Sequence, residues 1–129
     1  MRTILIADDD PDGREMLRDV LEAWGFHVLE ACDGREALVN AGRHNPDAIL
    51  LDLQMPRLDG FAVLRHLRED CRLSATPIVA VTASAQNGTR ERALRAGFDA
   101  YVTKPVDFRS LHSELQRLLL TNCPAKGVA

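Results

Sequence analysis

The 129-residue sequence lacks any apolar run that approaches the ~20 residues of a membrane-spanning helix. It lacks a signal peptide as well, because its short N-terminal apolar stretch is followed at once by three aspartates. Its three cysteines are far apart and form no C-x-x-C pair, which argues against structural zinc and a disulfide framework and favours a reducing cytoplasm. A net charge of −3 argues against a dedicated nucleic-acid surface.

The composition is that of one compact domain. Hydrophobic residues make up 46% and charged residues 27% of the chain, which excludes a disordered or low-complexity protein. A chain of this length can bury a core without a disulfide or metal. We predict one domain over residues 1–120 and a flexible C-terminal tail over residues 121–129.

Five apolar runs alternate with segments of helical periodicity. The runs are Thr3–Ala7, Phe26–Glu30, Ala48–Leu53, Ile78–Val81 and Ala100–Thr103. Near-continuous Ile, Leu, Val and Ala are typical of parallel strands buried on both faces. Repeated strand–helix alternation predicts an α/β fold, with a parallel sheet covered by helices on both sides and right-handed crossovers.

Capping residues and periodicity place the helices at about 11–24, 34–41, 60–71, 87–97 and 107–120. Cys32 and Cys71 are interpreted as small apolar fillers. The fourth helix offers little to bury beyond Ala93, Leu94 and Ala96, so we expect it to be the least stable of the five. Its three arginines, Arg90, Arg92 and Arg95, are interpreted as a solvated basic face.

Polar residues stand where the predicted strands end. They are Asp8, Asp9 and Asp10 after the first run, Asp52 in the third, Thr82 after the fourth and Lys104 after the fifth. Ligands of such sheets bind beyond the carboxyl ends of the strands. Clustered carboxylates repel one another and attract a hard divalent cation such as Mg²⁺. A hydroxyl and an ammonium suit phosphoryl oxygens, and a carboxylate can attack phosphorus, so this set points to Mg²⁺-assisted phosphoryl transfer onto an aspartate.

From about residue 2 to residue 120, the sequence resembles the response regulator receiver domains of two-component signalling, in particular the single-domain chemotaxis-regulator type. The matching motifs are Asp8-Asp9, Asp52-x-x-Met55-Pro56-x-x-Asp59-Gly60, Thr82-Ala83 and Lys104-Pro105. The resemblance implies a doubly wound, three-layer α/β/α fold, with a flavodoxin-like five-stranded parallel sheet of order 2-1-3-4-5.

The resemblance also implies a role for each matching residue. Asp52 would accept the phosphoryl group, with Thr82 and Lys104 as its partners. Mg²⁺, or Mn²⁺ in its place, would be bound by Asp9, Asp52 and the Gln54 backbone carbonyl, with Asp8 acting largely through water. Tyr101 would be the aromatic switch residue that responds to Thr82. The family further implies a cis Lys104–Pro105 bond and an influence of Gln54 and Ser84 on phosphate lifetime.

The function implied is a phosphorylation-controlled switch in a phosphorelay rather than a turnover enzyme, although the domain catalyses its own phosphorylation and dephosphorylation. A sensor histidine kinase or histidine phosphotransfer protein would be the donor, and a protein effector would bind the surface of helix 4, strand 5 and helix 5. We expect no direct DNA or membrane binding, a cytoplasmic location, and a monomer or phosphorylation-dependent dimer. Because Met1 directly precedes the first strand and no effector sequence follows, a stand-alone receiver is favoured over an excised one.

Four alternatives share parts of the pattern. Residues 8–19 resemble a calcium loop, although Pro11 lies inside it and a strand precedes it. Asp8-x-Asp10 also resembles the motif of haloacid-dehalogenase-type Mg²⁺ phosphatases. A flavin-binding module would share the fold, but the loop after its first strand would have to cradle phosphate, and here it is acidic. The last alternative is a phosphate-independent receiver-like scaffold.

Overall fold

The computed structural model describes residues 2–55, 59–83 and 88–128, with side chains through residue 119. Strands and helices alternate along the chain as β1 (Thr3–Ala7), α1 (Pro11–Ala23), β2 (His27–Ala31), α2 (Gly34–His44), β3 (Ala48–Asp52), α3 (Gly60–Glu69), β4 (Ile78–Thr82), α4 (Thr89–Ala96), β5 (Ala100–Thr103) and α5 (Phe108–Val128).

The strands form one parallel sheet in the order β2-β1-β3-β4-β5. This confirms the predicted doubly wound, flavodoxin-like architecture. The central strands β3 and β4 are buried along their whole length, in keeping with their unbroken apolar sequences.

The sheet separates two hydrophobic clusters, one on each face. Leu5 and Ile49 belong to the cluster that includes the buried residues of α2, α3 and α4. Ile4 and Ile6 belong to the other, which α1 and α5 complete. Neighbouring residues of β1 thus pack into opposite layers, as the alternation of side chains along a strand requires. Within the described ranges, no helix is long and apolar enough to cross a membrane.

Side-chain caps begin three of the helices where the sequence predicts them. Asp10, Asp33 and Asp59 each accept a hydrogen bond from a backbone N–H of the first turn of α1, α2 and α3. Pro11 occupies the first turn of α1, where its missing N–H is not needed. Because Asp10 is the cap and residues 11–19 are helical, the calcium-loop alternative is wrong.

Several predicted boundaries shift by a few residues. β2 begins at His27 rather than Phe26, and α2 continues to His44, where Asn45 ends it in a left-handed conformation with φ of 46°. α4 begins at Thr89, later than predicted, and α5 is helical to Val128, past its predicted end. The flexibility of residues 121–129 stays a prediction.

The interpretation of Cys32 and Cys71 as buried fillers is wrong. Both are exposed free thiols. α3 ends at Glu69, so Cys71 follows the helix instead of continuing its apolar stripe. The apolar position is taken instead by Leu73, which is buried in the cluster beneath α3.

Candidate functional site

Three carboxylates meet at the carboxyl edge of the sheet. β1 and β3 are neighbours with Ala7 paired to Leu51, so the next residues along the two strands, Asp8 and Asp52, emerge side by side. Asp9 follows directly, and one oxygen from each of the three carboxylates lies within 4.8 Å of the others. Asp8 and Asp52 are buried whereas Asp9 is exposed, so the cluster is open to solvent on one side.

Backbone N–H groups fix the two buried carboxylates. Asp8 Oδ1 accepts a hydrogen bond of 2.9 Å from the Asp10 N–H, and Asp52 Oδ1 accepts one of 2.9 Å from the Gln54 N–H. Each bond spans two residues and closes the tight turn that follows the strand. One oxygen of each carboxylate is therefore held, and the other is available for a cation.

Lys104 supplies that cation in the structure. Its ammonium Nζ lies 2.8 Å from Asp8 Oδ2 and 3.1 Å from Asp52 Oδ2. The lysine is carried past the end of β5, where its backbone N–H donates to the Thr82 carbonyl and its bond to Pro105 is cis, as the resemblance implied. The ammonium of Lys104 therefore bridges both buried carboxylates rather than pairing with Asp52 alone.

Burial and charge act against each other at this bridge. Burial raises the pKa of Asp52, and the charge of Asp8 adds to that effect, although the Gln54 N–H and Lys104 partly oppose it. For Lys104, burial alone would lower the pKa, but the hydrogen bonds and charges of Asp8 and Asp52 outweigh burial and raise it. The two carboxylates therefore favour the charged ammonium, while burial opposes ionisation of Asp52.

The donor set fits a hard divalent cation. All three groups offer carboxylate oxygens, without the sulfur or nitrogen donors that softer metals prefer. The exposed side at Asp9 leaves room for water and for oxygens of a substrate. Three carboxylates and a single ammonium also leave negative charge in excess, which a dication would balance.

Thr82 and Tyr101 lie on the neighbouring strands β4 and β5. Thr82 ends β4 beside Asp52 and is fully buried, and it lines a cavity together with Gln54. Tyr101 lies in β5 and is half-buried, packed against the core cluster that α4 joins. Gln54 is exposed next to Asp52, and Ser84, the other predicted lifetime residue, lies outside the described residues.

Sequence reasoning missed Arg14. Its guanidinium donates to the backbone carbonyl of Asp8 at 2.7 Å and pairs with Glu30 at 3.0 Å, tying α1 and β2 to the acidic turn. The sequence signal for these contacts was the position of Arg14 near the start of the helix that follows the acidic residues. It could not be interpreted without knowing that β2 lies beside β1.

Arg92 was interpreted as part of a solvated face, and that interpretation is incomplete. Its guanidinium carbon lies 4.5 Å from the centroid of the Phe61 ring, and both residues line the cavity that contains Thr82 and Gln54. Phe61 in turn meets Phe98 edge to face, with ring centroids 5.8 Å apart. Arg92 therefore borders the predicted site.

Residues 4–116 match the family model of the response regulator receiver domain. The polar-differentiation response regulator DivK of Brucella anthropi is 37% identical over 105 residues, which cover 81% of this chain and 85% of the relative.

Solved structures agree with this match. The receiver domain of sensor histidine kinase PA1611 from Pseudomonas aeruginosa PAO1, with a magnesium ion coordinated in its active site cleft, is 36% identical over 92% of this chain and 97% of its own, with a TM-score of 0.85. Chemotaxis protein CheY4 of Vibrio cholerae is 30% identical over 92% of this chain and 98% of its own, also with a TM-score of 0.85. Together with the strand order and the acidic cluster at the sheet edge, these matches establish that the chain belongs to the response regulator receiver domain family.

Proposed function

We propose that the chain is a phosphorylation-controlled switch in which Asp52 accepts a phosphoryl group from a phosphohistidine. The observation that carries the proposal is the position of the Asp52 carboxylate, which lies beside the carboxylates of Asp8 and Asp9 and accepts a hydrogen bond from the ammonium of Lys104. Under this proposal Asp52 is the nucleophile, the three carboxylates hold a cation, and Lys104 supplies a positive charge, and these are the groups that phosphoryl transfer requires.

Mg²⁺ is the cation we propose, with Mn²⁺ as a substitute. Asp9, Asp52 and the backbone carbonyl of Gln54 would hold it, with Asp8 acting through water. When bound, it would neutralise the carboxylates and the oxygens of the phosphoryl group. The all-oxygen donor set supports this assignment, as does the magnesium ion coordinated in the PA1611 receiver.

In the transfer step, an oxygen of the Asp52 carboxylate attacks phosphorus. A P–O bond forms to Asp52 while the P–N bond of the donor breaks, and its electron pair remains on the histidine ring nitrogen. Asp52 Oδ1 is already held by the Gln54 N–H. We propose that one Lys104 N–H changes its hydrogen-bond acceptor from Asp52 Oδ2 to a phosphoryl oxygen. The Thr82 hydroxyl would donate a hydrogen bond to another phosphoryl oxygen.

The new charge then alters the surface of α4, β5 and α5. Movement of Thr82 toward the phosphoryl group would open space for Tyr101 to turn inward, and α4 would adjust with it. α4 suits such a role because Ala93 is its one fully buried residue, and Gly88, at its N-cap, offers no side-chain acceptor. Little packing energy therefore opposes its displacement.

The partners follow from this chemistry. The donor would be a sensor histidine kinase or a histidine phosphotransfer protein, and the phosphorylated surface would bind a protein effector, with a monomer or a phosphorylation-dependent dimer as the signalling form. The chain would promote transfer and hydrolysis on its own aspartate without acting as a turnover enzyme. We propose the cytoplasm as its compartment, since Cys32 and Cys71 are exposed free thiols, which a reducing compartment maintains.

The test is intact mass spectrometry after incubation with acetyl phosphate, with and without Mg²⁺, followed by mapping of the modified residue. We expect a Mg²⁺-dependent gain of one phosphoryl mass at Asp52, its loss in Asp52→Asn, and its retention in the control Asp12→Asn, whose side chain is exposed at the start of α1.

Other outcomes would favour the alternatives. Continuous release of phosphate without an accumulating labelled form would indicate a haloacid-dehalogenase-type phosphatase. Absence of labelling together with unchanged partner binding by Asp52→Asn would indicate a phosphate-independent scaffold. Either result would overturn the proposed function.

A further inference from the structure

We propose that Arg92 is a positioning residue that senses the charge at Asp52: it rests on the Phe61 ring in the unphosphorylated protein and turns toward the cavity it shares with Thr82 when Asp52 is phosphorylated. The inference rests on the proposed function, because it needs the added negative charge. It assigns a role to a residue that no motif of the sequence singles out.

The first observation is the environment of the guanidinium. Arg92 is exposed and lies over the face of Phe61, with Cζ 4.5 Å from the ring centroid. Among the described residues, no carboxylate forms an ion pair with it, although other arginines of the protein, such as Arg14 and Arg68, do have such partners. Within the described ranges, the guanidinium is therefore held by its ring contact, which is weaker than a charge-assisted hydrogen bond.

The second observation is the cavity beside it. A space of about 250 Å³ is bounded by Arg92 and Thr89 of α4, by Gln54 after β3, and by Thr82 at the end of β4. Asp59 also borders it, but its carboxylate already caps α3 by accepting from the Ala62 N–H. The cavity thus connects the arginine to the two residues that flank Asp52, and it is large enough to receive a side-chain end.

The third observation is that Phe61 is fixed relative to Asp52. Gly60, the residue before it, donates its N–H to the Leu53 carbonyl. A Cβ at Gly60 would lie 2.8 Å from the Asp52 carbonyl oxygen, so the start of α3 is pressed against the end of β3. The ring also packs edge to face against Phe98, which follows α4. Phe61 is therefore a support, held against the end of β3, on which Arg92 of α4 rests.

These observations predict which way the Arg92 side chain moves when Asp52 is phosphorylated. Phosphorylation adds roughly −1.5 to −2 charge at Asp52, beside the Gln54 and Thr82 side of the cavity, whereas Phe61 offers the guanidinium only the face of an uncharged ring. The electrostatic field then favours Arg92 at the cavity over Arg92 on the ring. Because Ala93 is the one buried residue of α4, release of its neighbour Arg92 from Phe61 removes a contact from a helix that has little buried packing.

The direct test is NMR of the arginine side-chain N–H groups with and without phosphorylation by acetyl phosphate and Mg²⁺. Arg92→Gln identifies the Arg92 Nε–H signal. We expect that signal to be shifted by the Phe61 ring in the unphosphorylated protein and to lose the ring shift on phosphorylation. A signal that keeps its ring shift while Asp52 is labelled would overturn the inference and leave the proposed function intact.

The functional test compares Arg92→Gln with Arg95→Gln, a matched control on the same helix that does not border the cavity. Hydrogen exchange of residues 88–98 is measured before and after labelling, and labelling itself is measured by mass. We expect both variants to be labelled as the wild type is, with the phosphorylation-induced change in exchange at least threefold smaller in Arg92→Gln and unaltered in Arg95→Gln.

Three results would overturn the inference. The first is a full exchange response in labelled Arg92→Gln, and the second is an equal loss of response in Arg95→Gln. The third is failure of Arg92→Gln to be labelled, because Arg92 would then act in the transfer. If the wild type itself is not labelled, the proposed function fails, and this inference fails with it. Phe61→Leu, which keeps apolar volume but removes the ring, should move the exchange of unphosphorylated α4 toward that of the phosphorylated protein.

Discussion

Replacement of Lys104 by methionine tests whether the ammonium is the internal counter-charge of the acidic site. The lysine side chain is 23% exposed, and those of Asp8 and Asp52 are 3% and 6% exposed, so the variant leaves two nearly buried carboxylates without their shared cation. Removing one partner of a buried ion pair costs about 3–5 kcal/mol. Because the lysine is partly exposed and Asp52 can take up a proton, we expect a loss of about 2 kcal/mol at pH 7 without Mg²⁺.

Thermal unfolding measures the loss. For a domain of this size, about 2 kcal/mol corresponds to a fall in Tm of roughly 6–10 °C. The control is Arg72→Met, which removes an ion pair with Asp70 whose side chains are 57% and 31% exposed. Such a pair contributes about 0–1 kcal/mol, so this variant should change the Tm by a few degrees at most, with or without Mg²⁺.

Measurements with and without Mg²⁺ distinguish the loss of the lysine's charge from the loss of its packing. If a dication takes over the role of Lys104, it should bind the methionine variant more tightly than the wild type and recover part of the lost stability. Recovery of about 1.4 kcal/mol requires a tenfold tighter dissociation constant, which calorimetric titration measures independently. An equal loss of stability with and without Mg²⁺, or an unchanged dissociation constant, would refute the reasoning, because the lysine would then act through its packed methylenes.

Three further predictions concern stability and dynamics. Burial raises the pKa of Asp52, so the folded state binds this proton more tightly than the unfolded state does, and the protein loses stability as pH rises from about 4 through the raised pKa. The variant Asp52→Asn should therefore be more stable than the wild type by roughly 1 kcal/mol at pH 7 and equally stable at pH 3, as measured by urea denaturation without metal. Arg68 donates to the Thr76 and Gly97 carbonyls and to Asp99, so Arg68→Met should cost about 2–3 kcal/mol, and a loss below about 0.5 kcal/mol would contradict its connecting role. Amide exchange in α4 should be at least tenfold faster than in α1, and equal protection would remove the argument for a displaceable helix.

The sheet and the position of the acidic cluster could be predicted because they depend on local sequence. An apolar run of about five residues followed by an aspartate places that carboxylate at a strand end, wherever the strand lies in the sheet. Asp8 and Asp52 then lie side by side if their two strands are neighbours in the sheet, and the pairing of Ala7 with Leu51 shows that they are. The end of each helix was harder to predict. Cys71 continues the periodicity of α3, yet the helix ends at Glu69, and Leu73, beyond the helix, packs into the core.

Contacts between distant elements could not be predicted in this way. Arg14 reaches the Asp8 carbonyl and Glu30, a residue of a strand whose position beside β1 the local pattern does not determine. Arg92 looks like any solvated arginine until Phe61, 31 positions earlier in the sequence, is found beneath it. Long polar side chains adapt to whatever surface the fold brings near, so their partners are set by tertiary packing.

The charges of the site explain why it can work as a switch. With Asp8, Asp9 and Asp52 ionised, the ammonium of Lys104 neutralises one of the three negative charges. Two negative charges remain, and one dication would neutralise them. A phosphoryl group on Asp52 would restore an excess of negative charge without changing the cation, so the imbalance must be met by the protein's own donors. Lys104 is already in place, and under our proposal Arg92 is a second cation, whose movement also displaces a helix. A site that was neutral both before and after phosphorylation would exert no such force.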